Sequence, residues 1–128
     1  FFLLAAGMSH ERILHITTQE AWDEGKTKGE YKTESLESEG FIHMSTKEQT
    51  PGTLNLWFKQ ATELLLLHID PSKLISKLVF EAPVGPHTET TNKFPHLYGP
   101  LCIDAVIHTQ PISRASTNDP WSIDIDDK

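Results

Sequence analysis

The sequence is poor in cysteine and in positive charge: its 128 residues include one cysteine, and 11 lysines and arginines against 18 aspartates and glutamates. A single cysteine, Cys102, excludes an internal disulfide framework and any zinc site built on several cysteines. The net charge of −7 and the absence of a dense lysine–arginine run argue against a surface for nucleic acid or anionic membrane. We therefore expect no nucleic-acid partner and no membrane partner, while a phosphate-bearing small molecule stays open as a ligand.

Signature motifs of common enzymes are also absent. The sequence contains no glycine-rich phosphate loop ending in Lys-Ser or Lys-Thr, no His-Glu-x-x-His and no Gly-x-Ser-x-Gly. His15, His43 and His96 have no local ligand spacing, such as a histidine pair one helical turn apart. We therefore expect no metal site.

The composition is that of one globular domain. With 38 % apolar and 23 % charged residues, a chain of this length has enough apolar material for a core of its own. We expect a single domain over residues 11–112. Residues 1–10 are expected to be an N-terminal extension or an expression remnant, with Met8 as the natural start. Residues 113–128 are expected to be a polar, acidic C-terminal tail with Trp121 as its docking residue.

Strand-like and helix-like patterns alternate along this domain. Capping-box patterns at residues 17–20 and 45–48 predict two helix starts, and Pro51-Gly52 interrupts the second helical pattern. The unbroken apolar run at 64–69 predicts a strand inside a sheet. The patterns indicate an α+β fold with a small mixed or antiparallel sheet. Further strands are predicted at 12–16, 41–44, 78–81 and 103–107, a helical face at Leu54, Trp57, Phe58 and Ala61, and a loop at 83–93.

The first candidate site residues are His15 and Thr17, at the end of the first predicted strand. An imidazole nitrogen there can point into a cleft and donate to a ribose hydroxyl or a carbonyl. The alternative is a core histidine held by a backbone carbonyl.

His43 and Ser45 form the second candidate pair. Residues two apart on a strand face the same way, and this pair precedes a predicted helix start, where backbone N–H groups attract anions. The pair is therefore a candidate phosphate-docking site. Alternatively, Ser45 caps the helix and His43 satisfies a turn.

The third candidate lies in a stretch that the sequence predicts to be a stiff turn, residues 94–101. Two prolines and a glycine limit its backbone, which would hold the side chains of His96 and Tyr98 in defined directions. An aromatic loop that covers a sheet edge is the alternative. Glu81, at a strand end, is a candidate general base or stabiliser of a cationic transition state, with a solvated surface glutamate as the alternative.

Four blocks of the sequence carry a family resemblance. They are His15-Ile16-Thr17-Thr18 with Trp22, Gly40-Phe41-Ile42-His43-Met44-Ser45-Thr46 with Gln49, Leu66 to Pro71, and Phe94-Pro95-His96-Leu97-Tyr98-Gly99-Pro100-Leu101. Together they resemble the domain of unknown function 952 family of small, mostly bacterial proteins, over nearly all of residues 13–112. The resemblance implies a compact domain similar to the ADP-ribosyltransferase fold, with a small split sheet, flanking helices and a cleft that holds NAD.

The same resemblance implies roles for the candidate residues. His15 is similar to the first-motif histidine that contacts the ribose of NAD, and the stretch through His43 and Ser45 would form the second wall. His96 and Tyr98 would approach from the segment before the last strand. Familiar transferases place a glutamate at the last motif, but none occurs between positions 92 and 111 here, and Glu81 is the nearest alternative.

We therefore hypothesise a cytoplasmic, ADP-ribosyltransferase-like domain that binds NAD or a related nucleotide, with catalysis and oligomeric state left open. An enzyme of this kind would use NAD for ADP-ribosyl transfer or glycohydrolysis. The alternatives are a non-catalytic interaction or regulatory module and a histidine-based hydrolase or metal site. Candidate catalytic residues are His15, His43, His96 and Glu81, and candidate ligand-binding residues are His15, Thr17, His43, Ser45, His96 and Tyr98.

Overall fold

The structure is a computed structural model that describes residues 11–82 and 93–126. The expectations for residues 1–10, and for nearly all of the predicted loop at 83–93, lie outside the described residues. No helix in the described part of the chain is long and apolar enough to cross a membrane. The elements, in chain order, are β1 (Ile13–Thr17), α1 (Gln19–Lys28), β2 (Glu30–Tyr31), α2 (Glu34–Ser38), β3 (Ile42–His43), β4 (Ser45–Thr46), α3 (Thr50–Trp57), β5 (Glu63–Ile69), β6 (Lys77–Glu81), β7 (Phe94–Tyr98), β8 (Leu101–Cys102) and β9 (Val106–Ser113).

These strands form three antiparallel sheets, which confirms the α+β class. The largest has the order β4-β1-β5-β9, the second has the order β3-β7-β6, and β2 pairs with β8. The strand predicted to lie inside a sheet is β5, which pairs with β1 on one side and β9 on the other.

The apolar run of β5 is unbroken because both faces of this strand are buried. Leu65 and Leu67 pack on one side with Ile42 and Leu97 of the second sheet. Leu66 packs on the other side with Leu54 of α3. A strand covered on both faces carries apolar residues on both of them, so the usual period-two alternation disappears, and the one buried polar residue of β5, His68, is hydrogen-bonded to Gln110.

Helix α1 is confirmed, with a small shift in its cap. Thr18, rather than Thr17, is the N-cap residue, and its Oγ1 accepts a hydrogen bond from the Ala21 N–H at 3.1 Å. Gly29 ends the helix with φ of +86°, a left-handed conformation that glycine adopts without a side-chain clash. The cap leaves Thr17 in β1, where its side chain faces the interior.

The second capping-box prediction is wrong. Ser45 and Thr46 form β4, and the helix begins only at Thr50. Pro51 does not interrupt this helix but lies in its first turn, where the missing N–H has no intrahelical partner to lose. The helix ends at Trp57, so the predicted helical face stops short of Ala61.

Two further local predictions are also wrong. The predicted stiff turn at 94–101 is mostly β7, the middle strand of its sheet, with the turn confined to Gly99 and Pro100. Pro95 has no N–H to donate in this strand, but its carbonyl oxygen accepts a hydrogen bond from the Met44 N–H at 3.0 Å. The predicted strand at 103–107 begins instead with a 3₁₀ turn, Ile103–Ala105, whose Ala105 carbonyl accepts from the Asp70 N–H.

The segment after β9 folds back onto α3 through Trp121, whose side chain is 3 % exposed. Trp121 Nε1 donates to the Phe58 carbonyl at 3.0 Å, and its backbone N–H donates to Asn55 Oδ1 at 2.7 Å. The Arg114 guanidinium lies 4.7 Å from the centre of the indole ring. Trp121 is therefore part of the hydrophobic core.

We expect Gly99→Ala to lower the free energy of unfolding by about 2–3 kcal/mol. The φ of Gly99 is +153°, and an added Cβ would overlap the side chain of Ser76, whose Oγ donates to the Pro100 carbonyl. Gly29→Ala is the matched control, because it also has positive φ but open space around the new Cβ, and it should cost about 1 kcal/mol. Urea denaturation measures both; equal losses would contradict the Ser76 clash.

Candidate functional site

A cleft of about 1260 Å³ is bordered by residues of both larger sheets and by helices α2 and α3. Four of the predicted site residues line it, and the other three lie outside its described lining. The antiparallel register of β3 and β7 places His43 directly beside His96. The four lining residues are His15, His43, Ser45 and His96, and the other three are Thr17, Glu81 and Tyr98.

His15 is buried, and both of its ring nitrogens have partners within the protein. Its Nδ1 lies 2.7 Å from the His43 carbonyl oxygen, and its Nε2 lies 2.8 Å from the Tyr31 hydroxyl. Burial is the main cause that lowers the pKa of His15, from 6.5 to about 4, so the ring is neutral near pH 7. A carbonyl only accepts, so Nδ1 carries the proton of the neutral ring, and Nε2 is the acceptor. His15 thus ties β1 to β3.

Tyr31 is a site residue that the sequence analysis missed. Its hydroxyl lies between His15 Nε2 and Thr17 Oγ1, 2.7 Å from the latter, and burial raises the pKa of its phenol. Thr17 is therefore placed behind Tyr31, not at the cleft surface. No local motif marks Tyr31, because its partners on β1 are 14 and 16 residues away.

His43 and Ser45 line the cleft, but not as the predicted pair. The His43 side chain is half exposed, and its Nε2 lies 3.2 Å from Glu39 Oε1. Ser45 is buried, with its Oγ 2.9 Å from Thr50 Oγ1. Ser45 belongs to β4 and does not cap a helix, so the alternative reading of Ser45 is wrong. The helix start that the phosphate prediction placed directly after this pair lies at Thr50, so that premise is wrong as well.

His96, Glu81 and Tyr98 form a hydrogen-bonded group on one face of the second sheet. His96 Nδ1 lies 2.8 Å from Glu81 Oε1, and the Tyr98 hydroxyl donates to the same oxygen. The pKa of the Glu81 carboxyl is lowered mainly by the hydrogen bond from Tyr98 and next by the hydrogen bond from His96. The same bond to Glu81 raises the pKa of the Tyr98 phenol. Phe41 stacks on the imidazole of His96, with 4.0 Å between ring centres. The group fixes the orientation of the His96 ring.

The other nitrogen of His96, Nε2, is free to meet a ligand. The side chain is only 2 % exposed, yet Nε2 makes no hydrogen bond among the described residues. In that part of the chain every fully enclosed side-chain nitrogen or oxygen has a partner, and His96 lines the cleft. The carboxylate of Glu81 accepts from Nδ1–H, which leaves the Nε2 of a singly protonated ring as a hydrogen-bond acceptor.

Residues 16–109 match the family described as "Protein of unknown function (DUF952)". The chain belongs to this family. Its fold is similar to that of protein CC0527 from Caulobacter crescentus: the crystal structure has 29 % sequence identity and a TM-score of 0.73, and covers 86 % of this chain and 93 % of that one. A double mutant of CC0527 is 28 % identical with a TM-score of 0.73, and covers the same shares. The solution structure is 29 % identical with a TM-score of 0.69, and covers 86 % of this chain and 91 % of that one. No curated protein matches the chain.

The cleft of this DUF952 domain is acidic and partly aromatic. Three glutamates line it, but no lysine or arginine does so among residues 11–82 and 93–126. Trp57, which is 54 % exposed, and Phe94 supply aromatic surface. The net charge of −7 is the sequence signal for this electrostatic character, but nothing local identifies the glutamates that face the cleft. They are Glu34, Glu39 and Glu48.

Proposed function

We propose that this DUF952 domain binds NAD, or a nucleotide or nucleoside related to it, in the histidine-lined cleft, and that binding rather than turnover is its activity. The observation that carries the proposal is the convergence of His15, His43 and His96, from three separate strands, on one concave site. Its volume of about 1260 Å³ exceeds the roughly 300–1,000 Å³ of pockets for drug-sized ligands, and so provides room for a dinucleotide.

The proposal includes an ADP-ribosyltransferase-like arrangement, in which a divided sheet holds the nicotinamide–ribose end of the ligand. This arrangement is supported by the sheet topology, because the four-stranded sheet and the three-stranded sheet both border the cleft. His43 and the free Nε2 of His96 would contact the ligand. His15 would shape the wall, because its two nitrogens are already engaged.

The position of Glu81 favours binding over a turnover that uses Glu81 as its catalytic carboxylate. Loss of nicotinamide from a ribose needs a carboxylate or dipole beside the developing positive charge. Glu81, the candidate for that role, is instead hydrogen-bonded to His96 and Tyr98 and is not among the described residues that line the cleft. Its role is to orient His96.

We expect NAD to shift the backbone amide NMR signals of residues around His43, Ser45 and His96, with ADP-ribose and nicotinamide titrated in parallel. His96→Ala should weaken NAD binding roughly tenfold, because it removes a preorganised hydrogen bond worth about 1–1.5 kcal/mol. His108→Ala is the matched control, since His108 is a partly exposed histidine that does not line the cleft. Equal affinities in the two variants, or no shifts at millimolar NAD, would contradict the proposal and favour an interaction module.

A further inference from the structure

We infer that the cleft selects a ligand whose bound end is cationic and rich in hydrogen-bond donors, and rejects a polyanionic end such as a diphosphate. The pyridinium nucleoside end of an oxidised nicotinamide nucleotide has the selected chemistry. This inference rests on the proposed function for the choice of that ligand, but its physical basis is independent: the charges, the aromatic surface and the hydrogen-bond acceptors of the cleft wall.

The charge of the wall has one sign. Glu34, Glu39 and Glu48 line the cleft, and no cationic side chain of the described residues does. One of these carboxylates is hydrogen-bonded to a histidine: Glu39 Oε1 lies 3.2 Å from His43 Nε2. A positive ligand therefore meets a wall whose formally charged side chains are negative, and a diphosphate meets repulsion.

The helix N-termini at the cleft do not supply an anion site either. Glu34 lies in the first turn of α2, and Glu48 comes two residues before the start of α3. Negative charge next to a helix N-terminus reduces what a bound phosphate would gain from the helix dipole. Pro51, in the first turn of α3, also removes one of the N–H groups that would donate to such a phosphate.

Hydrogen-bonding and aromatic groups point to the same ligand chemistry. The His96 side chain is buried and held in direction by Glu81, and its Nε2 has no partner among the described residues; in a singly protonated ring this nitrogen accepts, so it suits an N–H or O–H of the ligand. The carboxamide of nicotinamide carries such N–H donors. Trp57 and Phe94 also line the cleft, and aromatic rings attract a cation through their quadrupoles.

The test compares four compounds with the full chain by NMR titration or calorimetry. Nicotinamide riboside is a cationic nucleoside, ADP-ribose has the diphosphate without the pyridinium, NAD has both, and 1-methylnicotinamide is the cation alone. We expect nicotinamide riboside to bind at least tenfold more tightly than ADP-ribose, and to lose affinity as salt is raised.

Each outcome separates the inference from the proposed function. ADP-ribose and NAD binding as tightly as nicotinamide riboside would overturn the charge selection and leave the proposed function standing. Binding of 1-methylnicotinamide without any of the nucleosides or nucleotides would overturn the proposed function and leave the charge selection standing. Binding of none of the four would overturn both.

A charge variant gives a second readout. The triple variant Glu34→Gln, Glu39→Gln, Glu48→Gln should weaken nicotinamide riboside roughly tenfold, from small contributions of three exposed carboxylates, and should tighten ADP-ribose. Glu20→Gln is the matched control, because Glu20 lies in the first turn of α1 and does not line the cleft. Loss of affinity for both ligands in the triple variant would indicate a structural effect and contradict the charge selection.

Discussion

The free energy of unfolding is expected to fall by about 3 kcal/mol between pH 7 and pH 4 through His15 alone. Burial lowers the pKa of His15 to about 4 in the folded chain, against 6.5 when it is exposed. Between these values the unfolded chain binds a proton that the folded chain does not, so acidification favours unfolding. The contribution is fully present above about pH 6.5 and is lost as the pH falls toward 4. Urea denaturation at a series of pH values measures it.

The control for this prediction is His15→Gln, which removes the titrating group. The variant is less stable at pH 7, because Gln does not reproduce both hydrogen bonds of the imidazole, but its stability should depend less on pH. Burial also lowers the pKa of His68, which contributes in the same direction and persists in the variant. An unchanged pH dependence in His15→Gln would contradict the prediction.

Trp121→Ala is expected to destabilise the protein by about 3–5 kcal/mol, the range for large aromatic side chains removed from a core. The substitution removes a 3 % exposed indole and its hydrogen bond to the Phe58 carbonyl, and takes away the ring beneath the Arg114 guanidinium. Thermal or urea denaturation measures the loss. The effect is large because Trp121 completes the side of the core formed by β5 and α3.

Two further variants test the reason for this loss. Trp57→Ala removes a tryptophan that is 54 % exposed, and should cost about 1 kcal/mol or less. Trp121→Phe keeps a large ring but loses the Nε1–H donor, and should fall between Trp121→Ala and the parent protein. Equal losses for Trp121→Ala and Trp57→Ala would show that Trp121 is not a core residue in solution.

Local sequence signals predicted those elements whose causes are local or one-dimensional. The run at 64–69 predicted β5, because burial on both faces favours apolar residues on both. The capping-box pattern at residues 17–20 predicted the start of α1 to within one residue. The family resemblance, carried by four sequence blocks, is confirmed by the match over residues 16–109.

Local signals failed where the same residues suit two structures. Ser45 to Glu48 match a capping box, but tertiary pairing with β1 makes residues 45 and 46 a strand and delays the helix to Thr50. The prolines around His96 indicated a turn, but β3 and β6 on either side draw residues 94–98 into the middle of a sheet. Strand pairing between distant segments decided both cases.

The candidate site divides in the same way. The sequence by itself determined the family and the excess of negative charge, and it predicted His15, His43 and His96 as candidate site residues. Only the tertiary structure decided that Tyr31 engages His15 and that Glu81 orients His96. Tyr31 and His15 are 16 residues apart in sequence, and Glu81 and His96 are 15 residues apart. Their hydrogen bonds form only once the tertiary structure has brought their strands together.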